Sequence, residues 1–131
     1  MKKKSNILPT GQLLDQYVID KCMGIGGFSV VYLGHHGQTQ ERVIIKEYMP
    51  NKLAKRLESG EVVAKDEPLI GLFEDCRKAF FKEATTLVNL KHPNIVNVIG
   101  FFRANGTVYM VMEFQEGKNL ETYIRSHQGL L

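Results

Sequence analysis

A glycine-rich turn set between two strand-like segments is the tightest constraint in this sequence. Residues 17–22 alternate, with Tyr17 and Ile19 on one face and Val18, Asp20 and Cys22 on the other, the period of a strand. Gly24-Ile25-Gly26-Gly27 then reverses the chain, and Phe28-Ser29-Val30-Val31-Tyr32-Leu33, β-branched and aromatic, runs straight into a second strand. A dinucleotide-binding fold needs a helix directly after such a loop, and a strand stands there instead. A Walker loop needs a Gly-Lys-Ser/Thr ending, which is absent. What remains is a hairpin whose missing Cβ atoms let backbone N–H groups lie close over a phosphate chain, or one that is merely tight.

The rest of the chain extends this start into a layered α+β domain. Arg42-Val43-Ile44-Ile45-Lys46-Glu47-Tyr48 predicts a third strand, closed by Pro50. Residues 51–56 suit a helical turn, and Glu61-Val62-Val63-Ala64 a short strand. From residue 72 to 90 the apolar positions Phe73, Cys76, Phe80, Ala84, Leu87 and Leu90 recur at helical spacing, and His92-Pro93-Asn94 stops that helix. Residues 95–102 and 108–114 predict two more strands joined by an Asn105-Gly106 turn, and Asn119 caps a last helix over 120–126. The expectation is a five-stranded antiparallel sheet packed against one main helix.

Two charged residues stand out against this pattern. Lys46 interrupts an apolar strand on the face of Ile44, where an unpaired ammonium is expensive unless it snorkels to water at an edge. Glu83 lies within or beside the apolar stripe of the helix. One Lys46–Glu83 pair explains both positions more economically than two separate surface placements.

Taken together these segments resemble the N-terminal lobe of a bacterial eukaryotic-type (Hanks-type) protein serine/threonine kinase. The resemblance runs over residues 23–124. Its motifs are the stretch 23–32, Val43-Ile44-Ile45-Lys46, Phe80-Phe81-Lys82-Glu83-Ala84, His92-Pro93-Asn94-Ile95-Val96, and the stretch 108–114, in the family's order. It implies that the loop Gly24, Ile25, Gly26, Gly27, Phe28 and Ser29 covers the phosphates of ATP, with Phe28 at its tip. Lys46 holds the α- and β-phosphates and Glu83 orients Lys46. Met23, Val31 and Ile44 roof the adenine, Met112 is the gatekeeper behind it, and the backbones of Glu113 and Gln115 bond its edge. Leu87 and Val98 join the apolar column between helix and sheet. Ser29 stands where the family has a third glycine, and Ile44 where it usually has alanine, which bears on the height of the pocket.

The implied activity is transfer of the γ-phosphoryl group of MgATP to protein Ser or Thr. The chain contains no His-Arg-Asp catalytic loop and no Asp-Phe-Gly, so Mg²⁺ ligands and general base are expected in a second lobe. Residues 1–131 by themselves are expected to be inactive and to be a piece of a longer protein. The domain plan is then a solvated tail over 1–12, the ATP-binding lobe over 13–116 and the start of a second lobe over 117–131. A non-catalytic, kinase-like interaction module is the alternative.

Composition narrows the partners. A net charge of +3 is too slight for a nucleic-acid surface. No apolar run reaches the length of a membrane span, and the basic start lacks the apolar core of a signal peptide. Two widely separated cysteines, Cys22 and Cys76, suit free thiols in the cytoplasm. Removal of the second lobe is expected to expose Met23, Val31, Ile44 and Met112 as an apolar strip, through which the lobe self-associates or onto which 117–131 folds back.

Overall fold

The structure, a computed structural model, describes residues 6–88 and 97–114. Among these residues eight strands and one long helix form in the order β1 (Leu13–Leu14), β2 (Tyr17–Ile25), β3 (Ser29–His36), β4 (Arg42–Tyr48), β5 (Ala54–Arg56), β6 (Val62–Ala64), α1 (Ile70–Leu87), β7 (Val98–Ala104) and β8 (Thr107–Glu113). The main sheet is antiparallel with order β1-β2-β3-β4-β8-β7, and β5-β6 is a separate hairpin.

Six strands therefore replace the five expected. The extra one, β1, is two residues long and turns back onto β2 through Asp15 at φ 56°, pairing Leu13 with Val18 and Leu14 with Tyr17. A two-residue strand carries no periodicity to read. The helical turn expected over 51–56 forms only in its first part, where the Leu53 and Ala54 N–H groups both donate to the Pro50 carbonyl, and residues 54–56 continue as strand β5. Helix α1 starts at Ile70, behind a 3-10 turn over Glu67–Leu69 that holds Pro68 in its first turn. Its predicted end at Leu90, the His92-Pro93-Asn94 stop, the helix over 120–126 and the domain boundary at 117 lie outside the described residues.

Alternation gives the sheet two buried faces. Ile44, Lys46 and Tyr48 point to the α1 side, where the Tyr48 ring sits 5.6 Å from both Phe73 and Phe80 and its hydroxyl donates to the Phe73 carbonyl at 2.9 Å. Phe73, Phe80 and Ala84 of the predicted stripe are buried, and Cys76 and Leu87 are half-buried. The opposite face carries Tyr32, Ile45, Glu47 and Tyr109, paired across neighbouring strands.

That second face is covered by what was expected to be a solvated tail. Leu8 is only 3% exposed and its N–H donates to the Tyr32 hydroxyl at 3.0 Å, while the Asn6 carbonyl accepts from Arg56 of β5 at 2.8 Å. The solvated-tail reading is corrected at Leu8, which is buried, and at half-buried Ile7, while Asn6, Pro9, Thr10 and Gly11 are exposed. An isolated leucine gives no period, yet burying it removes roughly 1.5–3 kcal/mol worth of apolar surface from water.

Candidate nucleotide site

The glycine turn is built as a short bridge between β2 and β3. The Gly26 N–H donates to the Ser29 carbonyl at 2.7 Å. The tip is then tied to the far end of β4, since Met49 N–H donates to the Phe28 carbonyl and Asn51 N–H to the Gly27 carbonyl, at 2.9 and 3.0 Å. Ile25 and Phe28 are exposed at this tip and Ser29 is buried. A Cβ on Gly27 would meet nothing within 4 Å, so the loop borders open space there. Ser29, which departs from the family pattern, pairs with Tyr48 as an ordinary strand residue.

Lys46 lies next in on the same sheet. It pairs with Val31 on one side and Met110 on the other and is 1% exposed. Burial lowers its pKa from the ordinary 10.5 to about 8, and the negative charge of half-buried Glu83 on α1 opposes that fall. The two residues singled out in the sequence thus act on one another electrostatically across the strand–helix layer.

The four apolar residues expected to form an open strip are mostly covered. Val31, Ile44 and Met112 are each 2% exposed and belong to the main apolar cluster, with Met23 and Phe114 packed half-buried against it. The open apolar strip is corrected: the chain itself closes over three of its four members. Cross-strand pairing explains this, because Ile44 faces Leu33 and Met112 on its two neighbouring strands and their side chains fill the space around one another. At the end of β8, the Glu113 N–H donates to the Asn97 carbonyl at 3.0 Å, so an adenine contact by Glu113 falls to its carbonyl. Gln115 lies outside the described residues.

Directly after Lys46, Glu47 points the other way and is fully buried. It accepts hydrogen bonds from Tyr32 Oη at 2.9 Å, Tyr109 Oη at 2.6 Å and Arg56 Nη2 at 2.6 Å. Arg56 in turn donates to the carbonyls of Asn6 and Gly60, and Asn105 Nδ2 donates to Tyr109 Oη. Burial first, then the charge of Glu47, pushes both tyrosine hydroxyls far above their ordinary pKa. The network joins the N-terminal segment, β3, β4, the β5–β6 hairpin and β8. Sequence reasoning missed it; the one available signal was a carboxylate at an inward-facing position of a central strand.

Among the described residues no three His, Cys, Asp or Glu side chains converge to hold a metal ion, so these residues do not fit a Mg²⁺ site by themselves. No helix among them is long and apolar enough to cross a membrane.

Comparison with known proteins agrees with this geometry. The family model for the protein kinase domain matches residues 17–131. The chain belongs to the protein kinase domain family. Its sheet and helix are the N-terminal lobe of that kinase fold, as in the solved structure of the PpkA-294 apo form, which is 33% identical with a TM-score of 0.82 over 94% of this chain and 44% of that one. The probable serine/threonine-protein kinase YbdM of Bacillus subtilis is 32% identical over 115 residues, 87% of this chain and 38% of the relative. The serine/threonine-protein kinase ATG1c of Arabidopsis thaliana is 27% identical over 118 residues, 90% of this chain and 14% of the relative. The kinase lobe thus spans well under half the length of these curated relatives.

Proposed function

We propose that this kinase lobe binds ATP for a serine/threonine protein kinase that moves the γ-phosphoryl group to a protein hydroxyl, leaving ADP. The observation that carries the reading is Lys46, a buried ammonium beside the glycine turn, under the electrostatic influence of Glu83. A buried cation is costly in itself and repays its cost by meeting a polyanion. In this reading the backbone of residues 24–29 covers the phosphates, Lys46 Nζ binds the α- and β-phosphates, and the Glu83 carboxylate orients it. Met23, Val31 and Ile44 form the roof over the base, Met112 stands behind it, and the Glu113 carbonyl with the Gln115 backbone bonds the adenine edge.

The residues that activate the substrate hydroxyl and hold Mg²⁺ belong, in this proposal, to the second lobe. Two free thiols, Cys22 and Cys76, suit a cytoplasmic setting. Self-association through the inter-lobe face would rest on Met23 and Phe114, the half-buried residues there, and sedimentation velocity across concentration tests it.

The test is nucleotide titration of residues 1–131, together with phosphotransfer by the longer protein. Weak ATP binding lost in Lys46→Met, with transfer to serine abolished in the longer protein carrying the same change, is expected. Undiminished transfer in that variant would overturn the proposal.

A further inference from the structure

The chain between β4 and α1 links the two charged residues of the candidate nucleotide site, since Lys46 lies on the strand and Glu83 on the helix. That chain forms the β5–β6 hairpin, closed at its base by the bond from the Lys65 N–H to the Leu53 carbonyl at 2.8 Å. Its root carries Met49 and Asn51, whose amides hold the Phe28 and Gly27 carbonyls of the glycine turn. A shift of the hairpin against the sheet is therefore felt at the glycine turn, at β4 and at the approach to α1 together.

Arg56 ties this hairpin to the middle of β4. The side chain is 7% exposed, and each of its three nitrogens donates. Nη2 meets Glu47 Oε1 at 2.6 Å and Nη1 meets the Gly60 carbonyl at 2.9 Å, while Nη2 and Nε share the Asn6 carbonyl at 2.8 and 3.1 Å. A planar guanidinium gripped at all three nitrogens keeps one orientation. Glu47 receives it between Tyr32 of β3 and Tyr109 of β8, so its carboxylate is bound from both flanking strands and from outside the sheet. A strand alternates its side chains, so a rotation of β4 that released Glu47 would also swing Lys46 away from the α1 side. A buried ion pair often adds little net stability, because desolvation offsets the attraction; what this one fixes is geometry.

We propose that Arg56 is a positioning residue for the nucleotide site: through Glu47 it holds β4 in the rotation that aims Lys46 at the phosphates, and the N-terminal segment latches it through the Asn6 carbonyl. The role toward ATP rests on the nucleotide-site reading; the hold of Arg56 on β4 does not.

The experiment is NMR titration of the Lys46 side chain in residues 1–131 without nucleotide, with ATP titration of the same protein. Arg56→Lys keeps the charge and removes the fork. It should let water reach β4 and raise the Lys46 pKa from about 8 toward the ordinary 10.5, the direction opposite to added burial. ATP binding should weaken about fivefold, and amide exchange at Met49 and Asn51 should quicken. Starting the chain at Thr10, which removes Asn6 and keeps Arg56, should move the same readouts the same way by a smaller step, and serves if Arg56→Lys fails to fold. Ile19→Val, which removes one buried methyl group from β2, is the control for lost stability alone and should leave the Lys46 titration and ATP affinity unchanged. An unchanged Lys46 titration in folded Arg56→Lys, or in the chain from Thr10, would overturn the proposal. So would a loss of ATP affinity in Ile19→Val equal to that in Arg56→Lys. Failure of the nucleotide-site reading looks different: ATP binding would survive Lys46→Met, while the Lys46 titration still answers for Arg56.

Discussion

Adjacent residues on β4 meet opposite fates because a strand alternates its faces. Lys46 turns toward α1 and keeps a lowered pKa of about 8, whereas Glu47 turns into a hydrogen-bonded network. Below about pH 8 Lys46 is protonated in both folded and unfolded chains, and the folded state bears the full burial penalty. Between about 8 and the ordinary 10.5 the unfolded chain binds more protons, so this residue's contribution makes stability rise with pH. The shift corresponds to about 3 kcal/mol. Urea unfolding of wild type and Lys46→Met should therefore show the variant's advantage at pH 7 shrinking by pH 10. ATP, by favouring the ammonium, should take up protons on binding near pH 8.5, read as heats that depend on buffer ionisation. Glu83→Gln should move the Lys46 pKa further down, seen by NMR titration of its side chain.

The same scale gives the Glu47 prediction its sign. Glu47→Ala strands a buried Arg56 without its carboxylate and should cost about 3–5 kcal/mol. Against a total stability of about 5–15 kcal/mol, that is enough to unfold a marginal lobe. The double variant Glu47→Gln with Arg56→Met should recover part of the loss in a chemical melt. Full stability in Glu47→Ala would show the network to be dispensable.

At the scale of elements, two connections hold the layers in place. Gly106, at φ 70° in the β7–β8 turn after Asn105 at φ 54°, would place a Cβ 2.9 Å from the Val62 carbonyl. Gly106→Ala should thus strain the turn and push away the β5–β6 hairpin, which is joined there by the Val62 N–H to Asn105 carbonyl bond. The expected cost is about 1–3 kcal/mol by thermal melt, with faster hydrogen exchange at Val62. Helix α1 is attached through Phe80 beneath Tyr48, and Phe80→Ala should cost about 3–5 kcal/mol by urea melt. Because α1 carries Glu83, that variant should lose ATP affinity as well as stability.

Over the whole molecule, the N-terminal segment closes the face of the sheet opposite α1. Starting the chain at Thr10 removes the Leu8–Tyr32 and Asn6–Arg56 bonds and opens Tyr32, Glu47 and Arg56 to water. The melting temperature should fall by several degrees, as about 1–2 kcal/mol lost from a domain of this size implies. An unchanged melting temperature would show that residues 6–9 only rest on the surface.

The sequence by itself determined whatever depends on neighbours along the chain. The glycine turn, the alternation of β2 to β4, the Asn105-Gly106 hairpin and the apolar stripe of α1 are local signals, because period and turn chemistry are set within a few residues. Lys46 and Glu83 stood out for a related reason, as charges on faces that the local pattern marked for burial. Only the tertiary structure decided which distant groups would answer one another. Asn6, Tyr32, Glu47, Arg56 and Tyr109 come from five separate segments, and nothing in their spacing reveals one network. The same holds for the roof residues, which adjacent strands close. A buried polar group must find its partner wherever the fold brings one, and that partner is fixed by sheet order and layer packing, not by sequence distance.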